Sequence, residues 1–273
     1  MITTRVRVYR DGSGIDTGDL LIDYLRERGV YSKAGPAEVC YGLPPRGSGP
    51  HLNGVELGDK PERLRVMQAA GVSVVPWTDD LRVAARMQFP LFARKPTGAG
   101  AKDLQPVFQP EELPWRAAAG WTWYSSVVPI ERELRCWVWR DEVLTTFEKA
   151  MQRPEEYTAL GRNFGQGFEF RPFPTAPPYS TQAILATASL GLDFSAIDMI
   201  AGKDGRVYVL EANTAGGCIR SRAQSTLALL ADRIATWCYQ DCPDKDASDR
   251  VDSAVVRSRL PSDNSQARSR RLG

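Results

Sequence analysis

The stretch Val207–Gly217, VYVLEANTAGG, decides how this chain is read. Its apolar start makes a strand, which then ends in Glu211, an alanine, Asn213 and a pair of glycines. A carboxylate at the end of a buried strand needs a partner, because burying an unpaired charge is strongly unfavourable. The residues just upstream supply the setting. AIDMIAG (196–202) and VYVLEA (207–212) are both strand-like, and Lys203-Asp204-Gly205-Arg206 lies between them. Asp-Gly is the favoured centre of a two-residue type I′ turn, whose central positions both need positive φ. With that turn Lys203 faces Arg206, Ala201 faces Tyr208, Met199 faces Leu210 and Asp198 faces Glu211. Like charges directly opposite each other, with Cβ atoms about 5 Å apart, destabilise a strand pair. Asn213 falls on the same face two residues on. A divalent cation resolves the conflict. Oxygen donors without His or Cys select a hard ion, Mg2+ or Mn2+, and Mg2+ keeps few protein ligands when phosphate oxygens are present. Asp198, Glu211 and Asn213 therefore read as the floor of a metal–nucleotide site.

The rest of the composition narrows the alternatives. The chain has 273 residues, 42% hydrophobic and 25% charged, with net charge +2, so no global field points to nucleic acid or an anionic membrane. No apolar run approaches the roughly 20 residues of a membrane span, and the start, MITTRVRVYRDGSG, lacks the apolar centre of a signal peptide. The expectation is a cytoplasmic protein. Five cysteines, an odd number and scattered, read as reduced thiols. Cys238 and Cys242 have helical spacing but lack the further ligands of a zinc site. The single histidine, His51, sits in the loop PPRGSGPHLNG, which argues against a Ser–His–Asp or Cys–His mechanism. Chemistry here falls to carboxylates, lysines, arginines and a metal.

Along the chain, TRVRVYR alternates as a strand, and DGSGIDTG has the look of a phosphate loop without the Gly-Lys-Ser/Thr ending of a P-loop. TGDLLIDYLRERG is an amphipathic helix closed by Gly29, AEVCYG a short strand, and 44–53 a loop. DKPERLRVMQAAG is a helix with Asp59 as N-cap and Gly71 as stop, followed by the strand VSVVPWT and a short helix at 79–87. PLFARKPTGAGAKDL reads as a strand ending in Lys95, a glycine-rich turn and a second strand from Leu104. WTWYSSVVP and RELRCWVWRDEVLTTFEKAM are strands, 162–173 is irregular or a short strand, TQAILATASLG a helix, and SRAQSTLALLADRIATWCYQ a final helix. Beyond Cys242 apolar residues give way to Arg, Asp and Ser, as in a disordered tail. The order of elements predicts an α+β protein with antiparallel hairpins rather than regular βαβ alternation.

AIDMI…YVLEANTAGG resembles the metal-binding strand pair of the ATP-grasp ligases, an Asp on one strand and Glu-x-Asn on the next. LNGVELGDKPERLRVMQAAGVSVVPWT resembles the opening helix and strand of that core, FARKPTGAG its strand lysine and glycine loop, and ERELRCWVW its acid-and-arginine strand. Arg162-Asn163 before GQGF resembles the subgroup of carboxylate–amine ligases often carried by bacteriophages. The resemblance spans roughly residues 1–240. It implies an ATP-grasp fold, two α+β lobes gripping ATP, with a pre-ATP-grasp-like region at 1–54, a small lobe at 55–128, a large lobe at 129–242 and a basic tail at 243–273.

Carried over position by position, the resemblance puts Lys60 and Lys95 on the ATP phosphates, Gly98 and Gly100 where backbone N–H groups approach them, and Glu133 on the ribose hydroxyls. It sets Arg135 against the transferring phosphate and makes Lys149, Arg162 and Asn163 a pocket for phosphate or a substrate carboxylate, with Arg220 a further candidate. The sequence departs from the pattern at Ser125 and Ser126, where an acid or amide is frequent, leaving the base to the backbone around Val127 and Val128. It departs again in GAGAKDL, which is poorer in glycine than many such loops, and at Gly216-Gly217, where Pro-Gly is frequent. The implied activity joins a small-molecule or peptide carboxylate to an amine through an acyl phosphate, with ATP and Mg2+ (or Mn2+). The alternatives are a small-molecule kinase and a non-catalytic nucleotide-binding regulator. The arginine-rich end SQARSRRLG is a weak hint of a nucleic-acid contact, and the oligomeric state is left open.

Overall fold

Three sheets organise the chain. The computed structural model describes residues 5–10, 17–46, 48–96, 104–151, 168–216 and 220–240, the side chains of 9, 10 and 220–224 aside. Gly98, Gly100, Arg162, Asn163 and the 243–273 tail lie outside the described residues.

The first sheet is parallel, in the order β1 (Val6–Arg10), β2 (Ala37–Tyr41), β3 (His51–Leu52). The segment expected to be all loop thus contributes a strand, because His51 and Leu52 pair with Glu38 and Val39. Helix α1 (Thr17–Glu27) ends at Gly29, whose φ of 69° is a left-handed stop. Its buried Leu21 and Leu25 pack in one core with Leu227, Leu230 and Ile234 of α6 (Arg220–Gln240). Asn53 fastens this region to the third sheet. Its Oδ1 accepts from the N–H groups of Asp193 (2.8 Å) and Phe194 (3.0 Å), and its Nδ2 donates to the Phe194 carbonyl (2.8 Å).

Helix α2 (Lys60–Ala69) starts as its sequence requires, with the Asp59 carboxylate accepting from the Glu62 N–H at 2.9 Å. Leu64 and Met67 bury against Leu134, Met199 and Val209 of the third sheet. The extended segment after α2 then touches two sheets. The Ser73 carbonyl accepts from Val209 N–H (2.7 Å), and the Pro76 carbonyl from Ser126 N–H (2.9 Å). Of the expected strand VSVVPWT only β4 (Trp77–Thr78) is regular.

The second sheet is antiparallel in the order β4, β7 (Trp123–Ser126), β5 (Leu91–Arg94), β6 (Leu104–Val107). Leu91 and Ala93 bury on one side with Val107, Leu113 and Tyr124, among α3 (Leu81–Ala84) and α4 (Leu113–Ala118). Alternation sends Phe92 and Arg94 the other way. The strand ends at Arg94, one residue before the expected Lys95. Helix α4, with the 3-10 turn at Pro110–Glu112 before it, is an element that no strong sequence signal marks.

The third sheet is antiparallel, β10 (Phe168–Pro172), β9 (Glu142–Met151), β8 (Ile130–Trp139), β11 (Phe194–Gly202), β12 (Val207–Asn213). Helix α5 (Pro177–Ser189) begins earlier than Thr181, its two prolines occupying the first turn, where missing N–H groups do no harm. Among the described residues no helix is long and apolar enough to cross a membrane.

The β11–β12 hairpin keeps the expected outcome by a different route. Only Gly205 has positive φ (77°) in the turn, Gly205 N–H donates to the Gly202 carbonyl (3.0 Å), and Gly202 N–H donates to the Arg206 carbonyl (2.8 Å). That is a three-residue loop, a type I turn closed by a glycine bulge, and not the two-residue type I′ turn. Ala201 therefore pairs with Val207 and Met199 with Val209. A second bulge at Leu210 restores the count, and Asp198 pairs with Glu211.

Candidate functional site

The middle of β11, around Asp198, gathers the charges. Arg135 and Asp198 are register partners on β8 and β11. The guanidinium donates through Nε to Oδ1 (2.6 Å) and through Nη2 to Oδ2 (2.7 Å), a bidentate pair of good geometry. Glu133, two residues along β8 and so on the same face, accepts from Lys149 Nζ at 2.6 Å, and the same ammonium lies 3.4 Å from Asp198 Oδ2. Lys149 comes from β9, so three neighbouring strands supply one buried network. Asp198, Glu133 and Lys149 are each no more than 9% exposed.

Electrostatics follow from that packing. Burial pushes the Asp198 carboxyl up, but Arg135 and Lys149 outweigh it and hold the group at about 2. Burial pulls the Lys149 ammonium down, and Asp198 and Glu133 more than compensate, leaving it raised. Both groups are charged across the neutral range.

Glu211 faces Asp198 across the hairpin and is partly exposed, with Lys60 Nζ at 3.6 Å from its Oε2. Lys60 is the first residue of α2, and the Asp59 cap fixes where it leaves the helix. Asn213 pairs with Ala196 further along the hairpin, and its side chain makes no hydrogen bond among the described residues. Val127 and Val128 lie half-buried in the link between the second and third sheets, and Val128 packs beside Val75, Ile200 and Tyr208. Thus Glu133, Arg135, Lys149, Asp198, Glu211 and Lys60 come together, with Val128 in the adjoining apolar cluster.

Lys95 goes elsewhere: its Nζ sits 5.1 Å from the centre of the Trp121 ring. Its neighbour Arg94, absent from the sequence-derived set, turns to the face opposite Leu91 and Ala93 and feels the Glu211 carboxylate. The signal was in the sequence, since alternation from Leu91 and Ala93 places Arg94, not Lys95, on the other face.

The donor set suits a hard cation in type, being two carboxylates and an amide oxygen. Among the described residues no three His, Cys, Asp or Glu side chains converge on one point. Both Asp198 oxygens are already engaged by Arg135, and four cations (Lys60, Arg94, Arg135, Lys149) surround three carboxylates (Glu133, Asp198, Glu211). A bare dication meets repulsion there. A dication arriving with a polyphosphate does not, because the phosphates outweigh its charge. The residues therefore fit a metal that enters with its nucleotide.

No protein-family profile matches the chain, and no curated protein matches it. Solved structures do. The chain is similar to the ATP-grasp ligase PsnB complexed with minimal precursor, Mg and ADP, at 14% identity and a TM-score of 0.65 over 87% of this chain and 98% of that one. It is similar to the macrocyclase MdnC bound with precursor peptide MdnA from Microcystis aeruginosa MRC, at 14% identity and a TM-score of 0.59 over 84% and 99%. It is also similar to D-alanine–D-alanine ligase from Bacillus anthracis, at 13% identity and a TM-score of 0.58 over 85% and 97%.

Proposed function

We propose that this chain, which has the ATP-grasp fold, is an ATP-dependent ligase joining a carboxylate to an amine through an acyl phosphate. The observation that carries the reading is the Asp198–Glu211 register pair, backed by Arg135, Lys149 and Glu133 from the next two strands. Such a site suits phosphoryl transfer, which needs positioning and charge neutralisation more than a protein nucleophile.

In this reading Asp198, Glu211 and Asn213 hold Mg2+ (or Mn2+), which when bound supplies charge neutralisation at the phosphates. Lys60 and Lys95 hold phosphate oxygens, Glu133 orients the ribose, and the backbone at Val127 and Val128 meets the base. Arg135 and Lys149 steady the transferring phosphoryl group as its bond to the leaving diphosphate breaks and a bond to the substrate carboxylate oxygen forms. The amine nitrogen then attacks the acyl carbon, phosphate leaves, and the nitrogen gives up a proton. Arg162, Asn163 and the glycines Gly98 and Gly100 complete the set by resemblance alone. The division at residues 54, 128 and 242 and a cytoplasmic site of action belong to the same proposal.

Likeness in fold to enzymes solved with precursor peptides favours a peptide as one of the two substrates, small molecules being the other class. An ADP-release screen over paired amino acids, peptides and polyamines, followed by mass spectrometry, tests the activity. An amide product with equimolar ADP supports the ligase. A stable phosphomonoester in its place makes the protein a kinase, and tight MgATP binding without turnover over the whole panel makes it a regulator.

A further inference from the structure

The first sheet reaches the charged floor through an aromatic residue. On one face of the third sheet three rows follow one another at the two-residue spacing of a strand. They are Trp139 with Phe194, then Trp137 with Ala196 and Asn213, then Arg135 with Asp198 and Glu211. Tyr41, the last residue of β2, covers the first row. Its ring stacks on Phe194, with centroids 6.3 Å and planes 24° apart, and Phe194 stacks in turn on Trp139 at 6.4 Å and 7°. After Asn213 the chain folds back over the second row, so that three residues later the buried Gly216 backbone lies on Ala196 and Trp137. A Cβ at Gly216 would fall 2.5 Å from the Ala196 Cβ and 2.6 and 2.8 Å from the Trp137 ring carbons Cζ2 and Cη2, so that seat takes a residue without a side chain. The buried Tyr41 hydroxyl donates to the Gly216 carbonyl at 3.3 Å.

Asn213 depends on that seat. Its side chain makes no hydrogen bond among the described residues, so the backbone alone fixes where its amide oxygen lies. Upstream, that backbone is held by the pairing of β12 with β11; downstream, the next fixed point is Gly216. Small displacements count at such a place, because Mg2+ demands near-ideal octahedral geometry from its oxygen donors.

We infer that Tyr41 is a positioning residue for the metal–nucleotide site: its hydroxyl holds Gly216 against Ala196 and Trp137, and so sets the place of Asn213 at the end of β12. The inference rests on the metal reading of Asp198, Glu211 and Asn213 given above, and it gives the first sheet a part in that site. Tyr41 itself touches neither metal nor nucleotide in this account; it acts through the backbone between Asn213 and Gly216.

Calorimetric titration of ATP, with and without Mg2+, into the full chain tests it on the wild type, Tyr41→Phe and Gly216→Ala, with a melting curve for each. Phenylalanine keeps the ring on Phe194 and removes only the hydroxyl. Tyr41→Phe is expected to cut the gain in ATP affinity that Mg2+ brings by about fivefold, the effect of one lost hydrogen bond, while metal-free ATP binds as to the wild type. Gly216→Ala lifts the backbone off its seat and is expected to cut that gain at least as much. The electron paramagnetic resonance spectrum of Mn2+ bound with ATP is a second readout, and both variants should change it. A role in folding alone would lower the melting temperature and weaken ATP binding equally with and without Mg2+, and that result overturns the inference. Folded Tyr41→Phe with the wild-type gain and the wild-type spectrum also overturns it, while leaving the metal site intact. If one variant does not fold, the other decides by the same comparison. A wild type whose affinity for ATP is not raised by Mg2+ overturns the metal reading, and the inference with it.

Discussion

The two antiparallel sheets treat charge in opposite ways. In the five-stranded sheet Asp198 has Arg135 on both oxygens and Lys149 beside it, and Glu133 has Lys149 at 2.6 Å. In the four-stranded sheet Arg94 has a hydroxyl and aromatic rings but, among the described residues, no carboxylate in contact. One side is balanced by contacting carboxylates; the other is held by a hydroxyl and rings. The five-stranded sheet is a floor whose charges contact one another, and the four-stranded sheet is a facing wall whose cation rests on neutral groups. Arg94 is drawn electrostatically toward Glu211, so the two walls already act on each other.

The strongest way to break the contrast is to unbalance the floor. Asp198→Ala removes the partner of two enclosed cations and is expected to lower stability by about 3–5 kcal/mol, read from urea unfolding. A loss under about 1 kcal/mol would mean that the network is not rigid in solution. The same carboxylate sets an acid limit. Its folded pKa of about 2 lies below the usual 3.8. The unfolded chain therefore takes up the proton first as pH falls. This contribution, about 2 kcal/mol, is complete above about pH 4 and lost as pH falls toward 2. Unfolding free energies measured from pH 5 to pH 2 should show that slope in the wild type and lack it in Asp198→Asn.

The wall gives smaller effects. Ser125→Ala takes the acceptor from Arg94 Nε and should lower stability by about 1 kcal/mol, read from urea unfolding. Gly205→Ala puts a side chain at a φ of 77° and should lower stability by about 1 kcal/mol. Because the bulge at Leu210 lies between that turn and Asp198, Gly205→Ala should leave MgATP affinity unchanged, which calorimetry would show.

Much of this was legible in the sequence because local signals were strong: the Asp59 cap, the glycine stops at Gly29 and Gly71, and the alternation of β8 and β9. The facing of Asp198 and Glu211 was legible too, though through two errors that offset each other. The sequence does not say which turn residues take positive φ, and only Gly205 does. Nor does it show that Leu210 bulges into the apolar cluster of Val75, Ile200 and Tyr208, a demand of tertiary packing. Helix α4 is not legible because Pro-Trp-Arg-Ala has weak periodicity over so few residues. Strand β3 is not legible because a two-residue parallel pairing leaves no pattern. The strand stops at Arg94 rather than Lys95, and the burial of Leu91 and Ala93 is what settles its faces.

The central claim is that the acidic hairpin end is a metal–nucleotide floor, and titration calorimetry of the wild type and Glu211→Ala with ATP, Mg2+ and both together tests it most directly. The account predicts that Mg2+ alone gives no measurable heat, that MgATP binds the wild type more tightly than metal-free ATP, and that Glu211→Ala abolishes this metal-dependent gain. Equal binding of MgATP by wild type and Glu211→Ala would contradict it.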